Sequence, residues 1–376
     1  MNINNKGENM TNSKKLGLSA LAGSLVAMSA QAGEMAVTGS ANVTYKTGNA
    51  GTGNDNKSIG SDKDVAFTGT GELDNGWTFT VSTLLTDAYV VSSSYTSLTM
   101  GSLGTISTGT NFGGASYKYD EEVPQAYEQT SDAQQNSANI VGNQMDSNSI
   151  VYNSPSFDIA GISLSMDAEY SPNANGIGAG DGAETDKVTA FVAADGQGGN
   201  FGKGYGLGAT AKYQGLTFGA YGSERENNDP TLGATKVRDA FEGVWYAKYS
   251  MGPVSVGYSE SYLDSGLNAA DVAITDAKGI RTASGIFSSE SMSIAFNVNE
   301  NLSVSYTSTE DTYDDQSNTN GGVEVADVTQ DSTALQIAYS MGAMSVKAYQ
   351  METKNPGYDS DAATENVTEI ALGLAF

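Results

Sequence analysis

Apolar and polar residues alternate one by one along segments of about ten residues, and the connections between those segments fall into two length classes. Period-two alternation marks a strand with one dry face and one wet face. Val37, Gly39, Ala41, Val43 and Tyr45 share one parity, and Thr38, Ser40, Asn42, Thr44 and Lys46 take the other. Val65 to Leu73 and Trp77 to Leu85 repeat the pattern on either side of Asp74-Asn75-Gly76, a strong hairpin signal. Further tight connections are expected near Gly101 to Gly104, Pro155 to Gly161, Gln214-Gly215, Met251-Gly252-Pro253, Asn299-Glu300-Asn301 and Met341-Gly342-Ala343. The intervening connections are long and rich in Gly, Asn, Asp and Ser: Thr47 to Ser61, Phe112 to Asp146, Pro172 to Lys203, Glu224 to Val237, Leu263 to Ala283, Thr312 to Val328 and Thr353 to Glu365. Only Ala88 to Val91 is short among them.

This layout predicts an all-β fold, a transmembrane antiparallel β-barrel of about 16 strands with short periplasmic turns and long extracellular loops. An even strand count puts both termini on one side, and Ile370, Leu372, Leu374 and Phe376 form a last strand that closes the sheet. The mean hydropathy of −0.31 does not oppose this, because only alternate residues of a barrel meet lipid. A β-sandwich would not sort its connections into two length classes. A β-solenoid would need the 45 glycines at a fixed short period, which they lack.

Charge supplies a test that strand placement did not use. Lys46, Glu72, Asp167, Glu169, Lys212, Glu242, Lys248, Lys347 and Glu369 all fall opposite to the apolar parity of their strands, the side that faces a lumen. Glu260, Glu310 and Glu352 take the lipid parity, at strand ends close to loops. The parity of Thr282 to Val298 switches between Phe287 and Met292, which calls for a bulge or a late strand start. Tyr45, Tyr213, Tyr249, Tyr258, Tyr306 and Tyr339 share the apolar parity near strand ends and suit an interfacial girdle better than a sugar-stacking track.

Lys14 and Lys15, the apolar run Leu16 to Met28 and Ala30-Gln31-Ala32 read as a signal peptide over residues 1–32, with translation starting at Met10. Residues 33–376 are then a single barrel domain. With 18 basic and 44 acidic residues the formal charge is −26, which argues against a nucleic-acid partner. The chain has neither cysteine nor histidine, so thiol nucleophiles and Ser-His hydrolases are excluded, and no enzymatic activity is expected.

Asn148-Ser149-Ile150-Val151-Tyr152-Asn153-Ser154-Pro155-Ser156-Phe157, with Gly161 and Tyr170 beyond it, resembles the Asn-Ser-x-x-Tyr-x-Ser-Pro-x-Phe signature of Gram-negative trimeric general porins. Val37-Thr38-Gly39-Ser40, the Asn75-Gly76 hairpin, the Gly101 to Gly109 hairpin and the final Leu374-Ala375-Phe376 extend the likeness along the chain. The resemblance implies a homotrimer of 16-stranded barrels in the outer membrane of a Gram-negative bacterium, in contact with lipid and lipopolysaccharide. It implies passive diffusion of small hydrophilic solutes and ions, and a C-terminal Phe376 read by the barrel assembly machinery. It also implies that the third long loop, 112–146, folds inward as a constriction bearing Asp120, Glu121, Glu122, Glu128 and Asp132.

Family members face such acids with a ladder of arginines, whereas no Lys or Arg occurs here between Asp64 and Tyr117, and Ser93, Ser94, Thr96, Ser107 and Thr108 recur instead. Basic lumen candidates reduce mainly to Lys46, Lys212, Lys248 and Lys347. An acidic constriction with few opposing bases is expected to prefer cations. The alternative is a structural or adhesive barrel acting through acidic surface loops. No cofactor is expected. Asp311 with Asp314 and Asp315, and Asp359 with Asp361, offer calcium oxygen donors but read rather as exposed acids, and the glycine-rich Ile177 to Gly182 reads as a flexible surface loop rather than a calcium-binding repeat.

Overall fold

The computed structural model describes residues 33–49, 56–87, 90–120, 122–130, 145, 147–174, 201–227, 231–232, 235–236, 239–264, 286–314 and 327–376. Its strands are β1 (Met35–Gly48), β2 (Asn56–Glu72), β3 (Thr78–Leu85), β4 (Val91–Thr99), β5 (Thr105–Thr110), β6 (Ile150–Asn153), β7 (Phe157–Ile159), β8 (Ile162–Ser171), β9 (Phe201–Tyr213) and β10 (Leu216–Asn227). They continue as β11 (Thr231–Leu232), β12 (Thr235–Lys236), β13 (Ala240–Met251), β14 (Val254–Asp264), β15 (Ile286–Asn297), β16 (Leu302–Asp314), β17 (Val328–Met341), β18 (Met344–Lys354) and β19 (Glu365–Ala375).

Each stave is antiparallel to the next, and β19 pairs with β1 from Ser40↔Ala375 to Gly48↔Val367, so the sheet has no free edge. β11 and β12 form a separate small hairpin, and β6 and β7 are two halves of one stave on β8, which gives a closed barrel of 16 strands. The last residue completes the seam. Phe376 and Gly39 exchange backbone hydrogen bonds of 2.9 and 2.7 Å, and a Cβ at Gly39 would lie 2.4 Å from the Phe376 ring. The glycine therefore leaves the space that the terminal ring occupies.

The tight turn placed at Pro155 to Gly161 is corrected. Phe157–Ile159 is strand, and the reversal is Ala160-Gly161, both at positive φ (53° and 82°), as two-residue hairpins require. Ser154-Pro155-Ser156 is a bulge instead. Partner numbers sum to 320 at Asn153↔Asp167 and to 321 at Phe157↔Leu164, so this side carries one extra residue. Proline has no N–H for the ladder, and the Met166 N–H donates instead to Ser154 Oγ at 2.8 Å. No bulge interrupts β15, which starts late, at Ile286, and keeps one register against both neighbours. Phe287 breaks the apolar parity because it faces inward, into an aromatic cluster.

The faces of β19 show how parity becomes environment. Glu365, Val367, Glu369 and Ala371 are buried, while Ile370, Leu372 and Leu374 stand on the exposed outer surface. Tyr45, Tyr213, Tyr249, Tyr306 and Tyr339 are likewise outward and exposed. The outward Glu260 is engaged locally: Tyr258 OH donates to it at 2.6 Å and Trp245 Nε1 at 3.0 Å.

Candidate functional site

The described part of the connection between β5 and β6, residues 111–120 and 122–130, runs into the barrel. Its base is pinned by Asn111, whose N–H donates to Ser147 Oγ at 2.9 Å and whose Nδ2 donates to Ser92 O at 3.1 Å. Beyond Gly113 and Gly114, both at positive φ, the chain turns inward through a 3-10 turn at Ser116–Lys118. Ala115 N–H then donates to Glu169 Oε2 at 3.0 Å, and Lys118 Nζ and Tyr119 OH each donate to Asp167 at 2.6 Å.

Farther along, Glu122 pairs with Lys248, and Pro124 O accepts from Ser293 Oγ. Ala126 N–H donates to Ser305 Oγ at 2.9 Å, Tyr127 N–H to Gln336 Oε1 at 2.8 Å, and Tyr127 OH to Glu369 Oε1 at 2.7 Å. These partners belong to β8, β13, β15, β16, β17 and β19, all on the face opposite to the exposed apolar residues. One segment can touch six staves from that face only by lying inside the barrel, along the wall from β8 to β19.

The wall is shaped for it. Asp167 also accepts from Asn153 Nδ2 at 2.6 Å, and Glu169 from Ser149 Oγ at 3.0 Å and Tyr221 OH at 3.3 Å. Both carboxylates are buried, and each is surrounded by donors, the condition under which a buried charge is tolerated. Tyr119 stacks on Tyr221 with ring centroids 5.4 Å apart, next to Val151, Val244 and Tyr246. A Cβ at Gly208 would come within 2.4 Å of the Tyr119 ring, and one at Gly257 within 2.3 Å of Pro124 Cδ. Burial first, then the hydrogen bond to Asp167 and the charge of that carboxylate, hold the Tyr119 phenol well above its ordinary value, so it stays a neutral donor.

Of the acids assigned to the constriction, Asp120 and Glu122 are half-buried in the inward segment, and Glu128 lies beside Gln336, whose Nε2 donates to the Glu128 carbonyl. Glu121 and Asp132 lie outside the described residues. Lys46, Asp167, Glu169, Glu242, Lys248, Lys347 and Glu369 are on the inward face, as are Glu72 and Lys212, which are exposed near the short turns. Arg225, fully buried on the inward face of β10, adds a base that the sequence reading did not include. Nor did that reading find the inward tyrosines and the β9 glycines. Period-two glycine at Gly204, Gly206 and Gly208, on the lumen parity, was the available signal.

The wall facing the inward segment is β1 to β5. Asp62 and Asp64 oppose Asn42 and Ser40 on its inner face, and Tyr95 lies between Ser82 and Gly109. Of the recurring hydroxyls, Ser93 and Ser107 point inward, whereas Ser94, Thr96 and Thr108 take the outer parity. The grouping of Asp311 with Asp314 and Asp315 is corrected: Asp311 is buried inward, where it accepts from Tyr358 OH, Asp314 has the outward parity, and Asp315 lies outside the described residues. Ile177 to Gly182 also lies outside them. Among the described residues no three carboxylates are placed to hold a metal ion.

A closed barrel with an apolar exterior, a polar interior and a loop lodged in the lumen is an outer-membrane-type transmembrane barrel. A profile of Gram-negative porins matches residues 17–375, and the chain belongs to that family of outer-membrane channels. Among solved structures the chain resembles Salmonella typhi OmpF in complex with daunomycin (14% identity, TM-score 0.63, covering 92% of this chain and 98% of that one). It also resembles the anion-selective porin of Comamonas acidovorans (12% identity, TM-score 0.59, 91% and 99%) and the trimer form of Vibrio cholerae OmpT (13%, 0.55, 92% and 100%). A sequence search of curated proteins gives no match.

Proposed function

We propose that this porin is a homotrimeric channel for small hydrophilic solutes and ions that prefers cations, and that it acts by diffusion rather than by catalysis. The observation carrying the sign of selectivity is the state of the lumen lysines around the inward segment. Lys46 pairs with Glu369 at 3.5 Å, Lys118 with Asp167 at 2.6 Å and Lys248 with Glu122, and Lys347 sits 4.9 Å from the centre of the Tyr127 ring. Each is engaged by an acid or a ring. The facing wall presents Asp62 and Asp64 on its inner side and has no Lys or Arg from residue 65 to residue 116. Fixed negative charge along a water-filled path favours cation entry.

The trimer rests on family membership and on the trimeric Vibrio cholerae neighbour, and the signal-peptide pattern of Lys14, Lys15, the apolar run and Ala30-Gln31-Ala32, with Phe376, supports export followed by outer-membrane assembly. Barrels of this fold include an anion-selective member, so the charges and not the fold decide the sign. Planar-bilayer recording in a salt gradient is the test. A reversal potential of cation-selective sign is expected, reduced by neutralising Glu121 and Glu122 together. Anion preference overturns the selectivity, and purified barrels that insert without ohmic steps overturn the channel.

A further inference from the structure

The connection from β18 to β19, residues 355–364, also turns into the barrel. Asn355, Gly357 and Tyr358 all have positive φ (50°, 69° and 59°), a conformation that an aromatic residue rarely adopts. Such a backbone persists only where the surroundings over-determine it. Here they do. Asn355 Nδ2 donates to Thr329 O at 2.8 Å, Gly357 N–H to Gln330 Oε1 at 2.9 Å, and Tyr358 OH to Asp311 Oδ2 at 2.5 Å. The Tyr358 ring, 1% exposed, packs with Leu263, Phe287 and Tyr313, the last two with centroids at 5.4 and 5.6 Å. Those three residues oppose one another on the inward faces of β14, β15 and β16.

From β18 to β15 is three strand spacings, so this loop reaches roughly 14 Å sideways across the inner wall. It stands over the other inward segment. Phe287 lies six residues nearer the loop end of β15 than Ser293, which the 111–130 segment touches, a distance of roughly 20 Å along the strand. Both elements occupy the same half of the barrel, at successive depths.

We propose that residues 355–361, positioned by Tyr358, form a second narrowing in series with the 111–130 segment and set the size of solute that reaches it. This rests on the channel reading above. A solute entering from the loop end passes Tyr358's loop first, and both elements confine it toward the β1–β5 side. Tyr358→Ala removes the buried ring and the bond to Asp311. It is tested in the full-length barrel by unitary conductance and by liposome swelling with saccharides of increasing size.

The expected result is a conductance increase of up to about 2-fold, the limit for relieving one of two equal resistances in series, and swelling by larger saccharides than the parent admits. Folding is checked by heat-modifiable gel migration. If that variant does not fold, Gln330→Ala, which removes the acceptor for Gly357, is expected to change both readouts in the same direction. A folded variant with unchanged conductance and size limit makes the loop a structural strap and overturns the inference. A parent protein that conducts nothing sinks the channel reading, and this inference with it.

Discussion

Removing the Asp167 carboxylate should release the root of the inward segment while leaving the barrel closed. In Asp167→Ala, Tyr119 OH and Asn153 Nδ2 lose an acceptor that each holds at 2.6 Å. Tyr119 is fully buried and Asn153 partly so, and a buried donor left unpaired costs about 1–3 kcal/mol. Lys118 adds little, because its side chain is 49% exposed and turns to water when the pair is lost. The two buried donors together give about 3 kcal/mol, which at ~1.4 kcal/mol per decade is roughly a hundred-fold rise in the undocked population. Trypsin reads this directly, since Lys118 lies in the docked turn, and cleavage follows the open population when opening is fast. Tryptic cleavage after Lys118 is expected to accelerate by about two orders of magnitude in barrels that still migrate as folded, with Asp167→Asn in between because it keeps one acceptor oxygen. Folded Asp167→Ala barrels cleaved at the parent rate would refute the assignment of Asp167 as the anchor.

Three further outcomes are expected. Gly208→Ala drives a Cβ to 2.4 Å from the Tyr119 ring, an overpacking worth about 1–3 kcal/mol, and should speed cleavage at Lys118. A Tyr119→Ala background should remove that effect in a double-mutant cycle. Docking should also weaken in alkali: the Tyr119 phenol is raised when docked, first by burial, so its contribution is full below the ordinary tyrosine value of about 10 and is lost as pH rises above it. Hydrogen exchange of residues 112–120, corrected for its intrinsic base catalysis, should show this loss setting in at about pH 10 and growing as the pH rises further, and Tyr119→Phe should abolish it. Gly39→Val places its Cβ within 2.4 Å of the Phe376 ring and should lower the temperature at which the barrel unfolds, measured by gel mobility after graded heating. Phe376→Ala in the same chain should cancel that added destabilisation.

Much of the barrel was legible residue by residue. The Asp74-Asn75-Gly76 turn survives intact, with Gly76 at φ +80° and Asn75 Oδ1 accepting from the Trp77 N–H at 3.1 Å, because turn geometry is set by neighbours in sequence. Parity put Glu369 inside and Ile370 outside for the same reason. Ser154-Pro155 misled because proline reads as a turn, and only the pairing with β8 shows the chain resuming as strand. Phe287 misled because an inward aromatic contradicts parity until its partners Tyr313 and Tyr358, distant in sequence, are beside it.

Strand faces, antiparallel order and membrane setting were legible along the chain, since period-two alternation and turn chemistry act over a few residues and one parity must meet lipid. Where the 111–130 and 355–364 segments dock emerges only in three dimensions. Lys118 and Tyr119 meet Asp167, Tyr127 meets Glu369, and Tyr358 meets Asp311 across separations of 47 to 242 residues. No local pattern encodes such contacts, because they exist only once closure brings the inner faces of distant staves around a shared lumen.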